Sequence, residues 1–278
     1  MKAIIGIFLI SLVLSALGDR RHCRLNRRDV IVCEDSGLVS RVRRPAKDNN
    51  LVLDFDGNTA LGADAFKNVN NWQLKLTFPK EGSPHILSLK SGSFRGVGYT
   101  TNLFIQNANV TYTGNPWSDL ANLEIFKCEN CGFLDVPTEM LSSFPHLEEL
   151  YLQNNKIDTI SANAFRSLKN LIILNLLRDE SITLEPGCFN GLDNLEELTI
   201  SSDSLTSTPG IFEGLKKLDT LNLVGELRND TSLADILLKI PTLKNFELKH
   251  SNFISIDSEG SEDDRHLQSL SFHNNRIE

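Results

Sequence analysis

Cysteine and histidine are the residues of this 278-residue chain best suited to covalent or metal chemistry. Cys128 and Cys131 stand three apart. In a thioredoxin-like βαβ setting that spacing would make a redox site, but no such setting surrounds the pair. Two small, buried, inward-facing residues are expected instead, with a CysxxCys disulfide as the alternative. Cys23 and Cys33 flank Arg24–Val32. That spacing suits a small hairpin closed by a disulfide in an oxidising compartment. Cys188 precedes Phe189 at a position that similar segments fill with Ala65, Ser93 and Ala164. A buried substitute for alanine is expected there. Because five cysteines leave at least one unpaired, an intermolecular disulfide through Cys188 is the alternative. His250 and His273 fall near the acidic stretch 258–264, and two surface histidines are expected rather than a metal site. No metal-ligand pair at helical spacing, phosphate loop or GxSxG nucleophile turn is present. The expectation is no catalytic residue, no metal, no cofactor and no enzymatic activity.

The elements that position these residues follow from a repeat. Leu147, Leu171, Leu195, Leu218, Leu243 and Leu267 each open the pattern LxxLxLxxNxL, followed by an aromatic and a leucine such as Phe165 and Leu168. Self-similarity at about 24 residues signals a solenoid. LxL places two apolar side chains on the inner face of a short strand and turns the residue between them outward. Such pairs run from Leu53/Phe55, Leu74/Leu76 and Leu103/Ile105 through Phe126/Cys128 and Leu150/Leu152 to Leu270/Phe272. An asparagine, or a substitute for it, follows the strand at Asn58, Cys131, Asn155, Asp179, Asp203, Ser251 and Asn275. There its side chain satisfies backbone groups that no strand neighbour reaches. The stretches 65–69 and 93–97 supply the outer half of two early, irregular rungs.

This pattern resembles the extracellular, roughly 24-residue class of leucine-rich repeat proteins, which includes Toll-type ectodomains and secreted arthropod proteins. The resemblance implies an α/β horseshoe solenoid, with a parallel sheet on the concave face and an irregular or short helical convex face. The expected organisation is a signal peptide at 1–18, an N-terminal cap at 19–48, and a solenoid of about ten rungs at 49–278 whose last rung is truncated. The leader is read from Lys2, the apolar run Ala3–Leu14, and small residues at Ala16 and Gly18. The run is shorter than the ~20 residues of a membrane span. Ile31, Cys33, Leu38 and Pro45 are similar to the cap motif of the family. The chain stops within a repeat, so a longer natural protein is expected.

The net charge of −8 argues against nucleic acid as a partner. The basic cap (Arg20, Arg21, Arg24, Arg27, Arg28, Arg41, Arg43, Arg44 and Lys47) leaves an anionic glycan possible. Asn109 and Asn229 open glycosylation sequons. On the concave face, Phe104, Ile125, Tyr151, Ile173 and Leu177 are expected to form an apolar patch, bordered by Glu129, Glu149 and Glu197. The function expected is a secreted, extracellular recognition module that binds a protein ligand or co-receptor, in innate immunity or at the cell surface. The alternatives are the N-terminal part of a transmembrane receptor and, from another class, an enzyme with no visible site. Self-association through Cys188 or the uncapped last rung is a further expectation.

Overall fold

A computed structural model describes residues 22–25, 30–43, 49–82, 84–178, 181–205, 210–226, 236, 239–251 and 267–274. The leader segment, the acidic stretch 258–264, the Asn229 sequon, Asp179 and Asn275 lie outside the described residues, as does much of the basic cap.

The chain opens with β1 (His22–Leu25), which pairs antiparallel with β2 (Ile31–Asp35), and β2 pairs in turn with β3 (Leu38–Arg43). Strands then alternate between two faces. β4 (Asn50–Asp54), β6 (Gln73–Thr77) and β8 (Asn102–Gln106) stack on one side. β5 (Thr59–Leu61), β7 (His85–Lys90) and β9 (Ala108–Thr113) stack on the other and continue from β3. The first ladder runs on through β10 (Ile125–Glu129) and β11 (Glu149–Tyr151) to β13 (Ile173–Asn175) and β15 (Glu197–Ser201). It then adds β16 (Thr220–Val224), β17 (Asn245–Lys249) and β18 (Ser269–His273), which completes a ten-stranded parallel sheet. β12 (Thr159–Ile160) and β14 (Thr183–Leu184) form a small parallel pair.

The cause of the long sheet is the LxL alternation. In β6, β8, β10, β16 and β17 the second and fourth residues are buried and the others half-exposed. The first rung differs from expectation. Leu51 and Leu53 stand opposite Leu74 and Leu76, so the inward pair is Leu51/Leu53 and not Leu53/Phe55. Apolar residues at 51, 53 and 55 make two registers equally good locally, and the ladder with β6 selects one. Phe55 lies just beyond the strand, buried with its ring 5.1 Å from that of Phe78.

The convex side also differs from the irregular or helical expectation. Its first half is a second parallel ladder, in which β7 alternates between its two faces at Leu87, Ser88 and Leu89 and β9 carries the β-branched Val110, Thr111 and Thr113. Helical turns enter later, among them a 3-10 turn at Pro116–Leu120 and a short helix, α1 (Thr138–Leu141). Among the described residues no helix is long and apolar enough to cross a membrane.

Between the faces runs a continuous core. Leucines from the long sheet meet a spine of aromatic rings from the convex turns, in which Phe66, Phe94, Trp117, Phe144, Phe165 and Phe189 are all fully buried. Phe66 and Phe94 stack at 6.2 Å, and Phe165 and Phe189 at 6.5 Å. Trp117 gathers Phe94, Tyr112, Phe126 and Phe144 at 5.5 to 6.3 Å. Each rung alone cannot cover its apolar face; stacking the rungs does.

Candidate binding face

The parallel register aligns the outward residues of the long sheet into rows. The middle row reads Lys75, Phe104, Lys127, Tyr151, Asn175, Thr199, Asn222. The row on its strand-start side reads Asn102, Ile125, Glu149, Ile173, Glu197, Thr220. Phe104, Ile125, Tyr151 and Ile173 therefore occupy four consecutive strands. Glu149 and Glu197 alternate with Ile125 and Ile173 in one row, whereas Glu129 stands on the strand-end side. Leu177 follows β13 and is tied to the neighbouring rung by its carbonyl, which accepts from the Asn154 amide at 2.9 Å. All five apolar members are half-buried rather than strongly exposed.

Lys127 is the residue that sequence reasoning missed. Its Nζ lies 3.7 Å from the centroid of the Tyr151 ring and 5.7 Å from that of Phe104. The ammonium thus sits between two aromatic faces, where the ring quadrupoles attract it. The Tyr151 hydroxyl donates to Glu149 Oε2 at 3.0 Å. Burial, then this hydrogen bond and the Glu149 charge, push the phenol above its usual range, so it remains a neutral donor. Gln106 Nε2 donates to Glu129 Oε2 at 2.9 Å, and Asn222 Nδ2 to Glu197 Oε1 at 2.9 Å. The carboxylates are consequently fixed in direction. The signal that could have found Lys127 was its place between the two inward residues Phe126 and Cys128.

The asparagine edge behaves as the repeat demands. Asn155 is buried; its Oδ1 accepts from the amides of Cys131 (3.0 Å) and Phe133 (3.2 Å). Its Nδ2 donates to the carbonyls of Cys128 (2.8 Å) and Leu152 (2.9 Å). One side chain satisfies groups on two rungs.

Cysteine chemistry sorts as follows. Cys128 and Cys131 are both buried, and they are bonded to each other, with Cα atoms 5.7 Å apart. The expectation of two unbonded residues is corrected in favour of its alternative: both side chains point inward from either end of one tight turn, within disulfide reach. Cys33 is disulfide-bonded, and Cys23 stands directly opposite it in the β1–β2 register. Cys188 is a free thiol with 0% exposure. An intermolecular bond through Cys188 is therefore closed off while the rung is packed. Burial pushes this thiol up to about 12. His273 Nε2 lies 3.4 Å from Glu247 Oε1, and the His250 amide donates to the His273 carbonyl. Among the described residues no three potential metal-ligating side chains of His, Cys, Asp or Glu cluster. Asn109 lies in β9, where its Oδ1 occupies space that a side chain at Gly132 would need, only 2.2 Å from the Cβ position there.

The model of a family described as "Leucine rich repeat" matches residues 121–180 and 180–227. Mouse podocan is 28% identical over 158 residues, covering 54% of this chain and 24% of podocan. A probable disease resistance protein of Arabidopsis thaliana is 34% identical over 107 residues, covering 38% of this chain and 13% of its own length. The chain thus spans a quarter or less of the curated relatives it matches. Among solved structures, the Toll chain of the Drosophila Toll–Spatzle complex aligns with a TM-score of 0.60 at 14% identity, over 82% of this chain and 36% of that one. The TLR13–ssRNA13 complex aligns with a TM-score of 0.56 at 18% identity, over 82% and 36%. An internalin of Listeria monocytogenes gives 0.53 at 14% identity, over 82% and 62%. At these identities the structural likenesses establish the fold.

Proposed function

We propose that this leucine-rich repeat solenoid is an extracellular recognition module that takes a protein partner on its concave face, in innate immunity or cell-surface interaction. The fold is typical of protein-interaction modules, and the podocan and Toll likenesses favour the extracellular setting. The observation that carries the proposal is the Phe104–Lys127–Tyr151 row. Aromatic rings and a long cation share the middle of the face, and Glu149 holds the tyrosine in one orientation. Rigid aromatic anchors beside apolar neighbours, with a polar rim beyond them, are what a protein hot spot requires. Ile125 and Ile173 extend the apolar contact to the adjoining row, and Glu129, Glu149 and Glu197 supply fixed acceptors for cationic or amide groups of the partner.

The test is capture of a partner from extracellular fluid by the full chain, beside a variant carrying Phe104→Ala and Tyr151→Ala. The variant should lose the partner while keeping its melting temperature. Equal capture would refute the face. The second reading, part of a larger receptor ectodomain, draws on the Toll structure, of whose chain this one spans 36%.

A further inference from the structure

Trp72 and Tyr99 are the two most exposed aromatic side chains among the described residues, at 64% and 69% exposure. They lie on adjacent rungs of one edge, where the strands of the long sheet begin. Trp72 immediately precedes β6, and its carbonyl accepts from the amides of Thr101 (2.9 Å) and Asn102 (3.0 Å) at the start of β8. Tyr99 therefore sits one rung on, in the turn that leads into β8.

The segments that carry these rings are held firmly. Asn71, beside Trp72, is buried, and its Nδ2 donates to the Gln73 carbonyl at 2.7 Å. Thr100, beside Tyr99, is buried, and its Oγ1 donates to the Asn71 carbonyl at 3.2 Å. On the next rung, Asn122 Nδ2 donates to the Gly98 carbonyl at 2.8 Å. Gly96 lies so close to the preceding rung that a Cβ there would stand 2.3 Å from the Phe66 carbonyl oxygen. Two polar side chains are thus spent inside the protein to fix the backbone under two rings that face water. Exposed aromatics on a fixed backbone lose little freedom when a ligand covers them.

The chemistry around the pair is neutral. The edge column aligned with Trp72 reads Asn49, Trp72, Thr101, then Glu124, Glu148, Ile172, Glu196, Asp219 and Lys244. Charge dominates from Glu124 onward, whereas the three described residues of this column before it, Asn49, Trp72 and Thr101, carry none. Asn70, Gln73, Thr101 and Asn102 offer amides and a hydroxyl in its place. Nucleic acid, whose bases also stack on aromatics, would need cationic phosphate contacts that this stretch lacks. A protein hot spot would need an apolar surround to exclude water, and the neighbours here are amides.

We propose that Trp72 and Tyr99 form a binding platform for a neutral oligosaccharide, separate from the concave face. The faces of two consecutive or alternate sugar rings lie on the aromatic rings, and the amide and hydroxyl groups bond sugar hydroxyls. No protein-partner property of the concave face enters this proposal.

The chain contains two tryptophans, and Trp117 is 1% exposed, so quenchable, solvent-sensitive fluorescence reports Trp72. The full chain is titrated with cellohexaose, laminarihexaose, chitohexaose and maltohexaose. A saturable change with at least one of these is expected. By calorimetry, Tyr99→Ala and Trp72→Ala should each weaken that sugar about tenfold or more, Trp72→Phe should weaken it less, and Tyr151→Ala should leave it unchanged. Melting temperatures of the variants identify any that fail to fold, and Trp72→Phe then stands for the tryptophan. Absence of binding by all four sugars would overturn the proposal. So would loss of a concave-face protein partner in the Trp72→Ala, Tyr99→Ala double variant with the sugars silent, because the rings would then belong to a protein interface.

Discussion

Asn155 holds four backbone groups on two rungs, so its contribution resides in the matched donors and acceptors of one amide. Asn155→Ala removes them all and leaves buried groups unpaired. The expected cost is roughly 2–4 kcal/mol in urea unfolding, and a loss within experimental error would show that the edge bonds are dispensable. Asn155→Asp keeps the acceptor but loses both donations, so it should fall between. Cys188 makes a second prediction at this scale. Its folded thiol titrates near 12, against an ordinary 9.0, because burial opposes the thiolate. The folded value is raised, so the contribution is complete below pH 9.0 and fades as the pH climbs toward 12. Cys188→Ala should therefore flatten the alkaline fall in melting temperature and cost about 1 kcal/mol at neutral pH. Native protein should resist iodoacetamide and unfolded protein should take it up at this site. An unchanged alkaline profile would show that the thiol does not carry the effect.

The rung is the unit of the next scale, and its inner edge is aromatic. Trp117 touches rings from the convex turns and from the long sheet, so it joins the two faces at the place where the second parallel sheet gives way to helical turns. Trp117→Ala should cost about 3–5 kcal/mol. Trp117→Phe should cost less, since the indole nitrogen has no hydrogen-bond partner to lose. Thermal unfolding of both variants checks the order; equal losses would mean that ring packing is not the cause. Elements were legible where periodicity was unambiguous. The LxL leucines announced β6, β8, β10, β11, β13, β15, β16 and β17, because a strand with one buried face must alternate. The first rung slipped by two residues because Leu51, Leu53 and Phe55 fit either register until β6 is in place. The convex sheet escaped notice since β5, β7 and β9 pair only with one another and with β3, which no local pattern records. The Cys128–Cys131 bond is hidden from the sequence for a related reason: the inward direction of both side chains, more than their spacing, decides it. The Lys127 sandwich depends on registers across three strands, so a single repeat could not display it.

At the scale of the whole molecule, stacking turns scattered side chains into rows. Phe104, Lys127 and Tyr151 are distant in sequence yet become neighbours 23 or 24 residues apart, with one on each of three strands. The same stacking places Trp72 and Tyr99 on adjacent rungs at the strand-start edge, ahead of the middle row. Two surfaces of different chemistry follow from one repeat. The first is a concave centre of rings, a cation and directed carboxylates. The second is a neutral lip with two exposed rings. The Asn109 sequon, on β9 of the opposite sheet, is clear of the concave face, so a glycan there would be compatible with a partner on it. The central claim is that the concave row is the protein-binding surface. Its most direct test is the affinity of the captured partner for the wild-type chain and for the Phe104→Ala, Tyr151→Ala variant, measured by surface plasmon resonance at matched folding. The account predicts a loss of at least about tenfold, expressed mainly as faster dissociation. An unchanged affinity in a folded variant would contradict it and move the binding surface elsewhere on the solenoid.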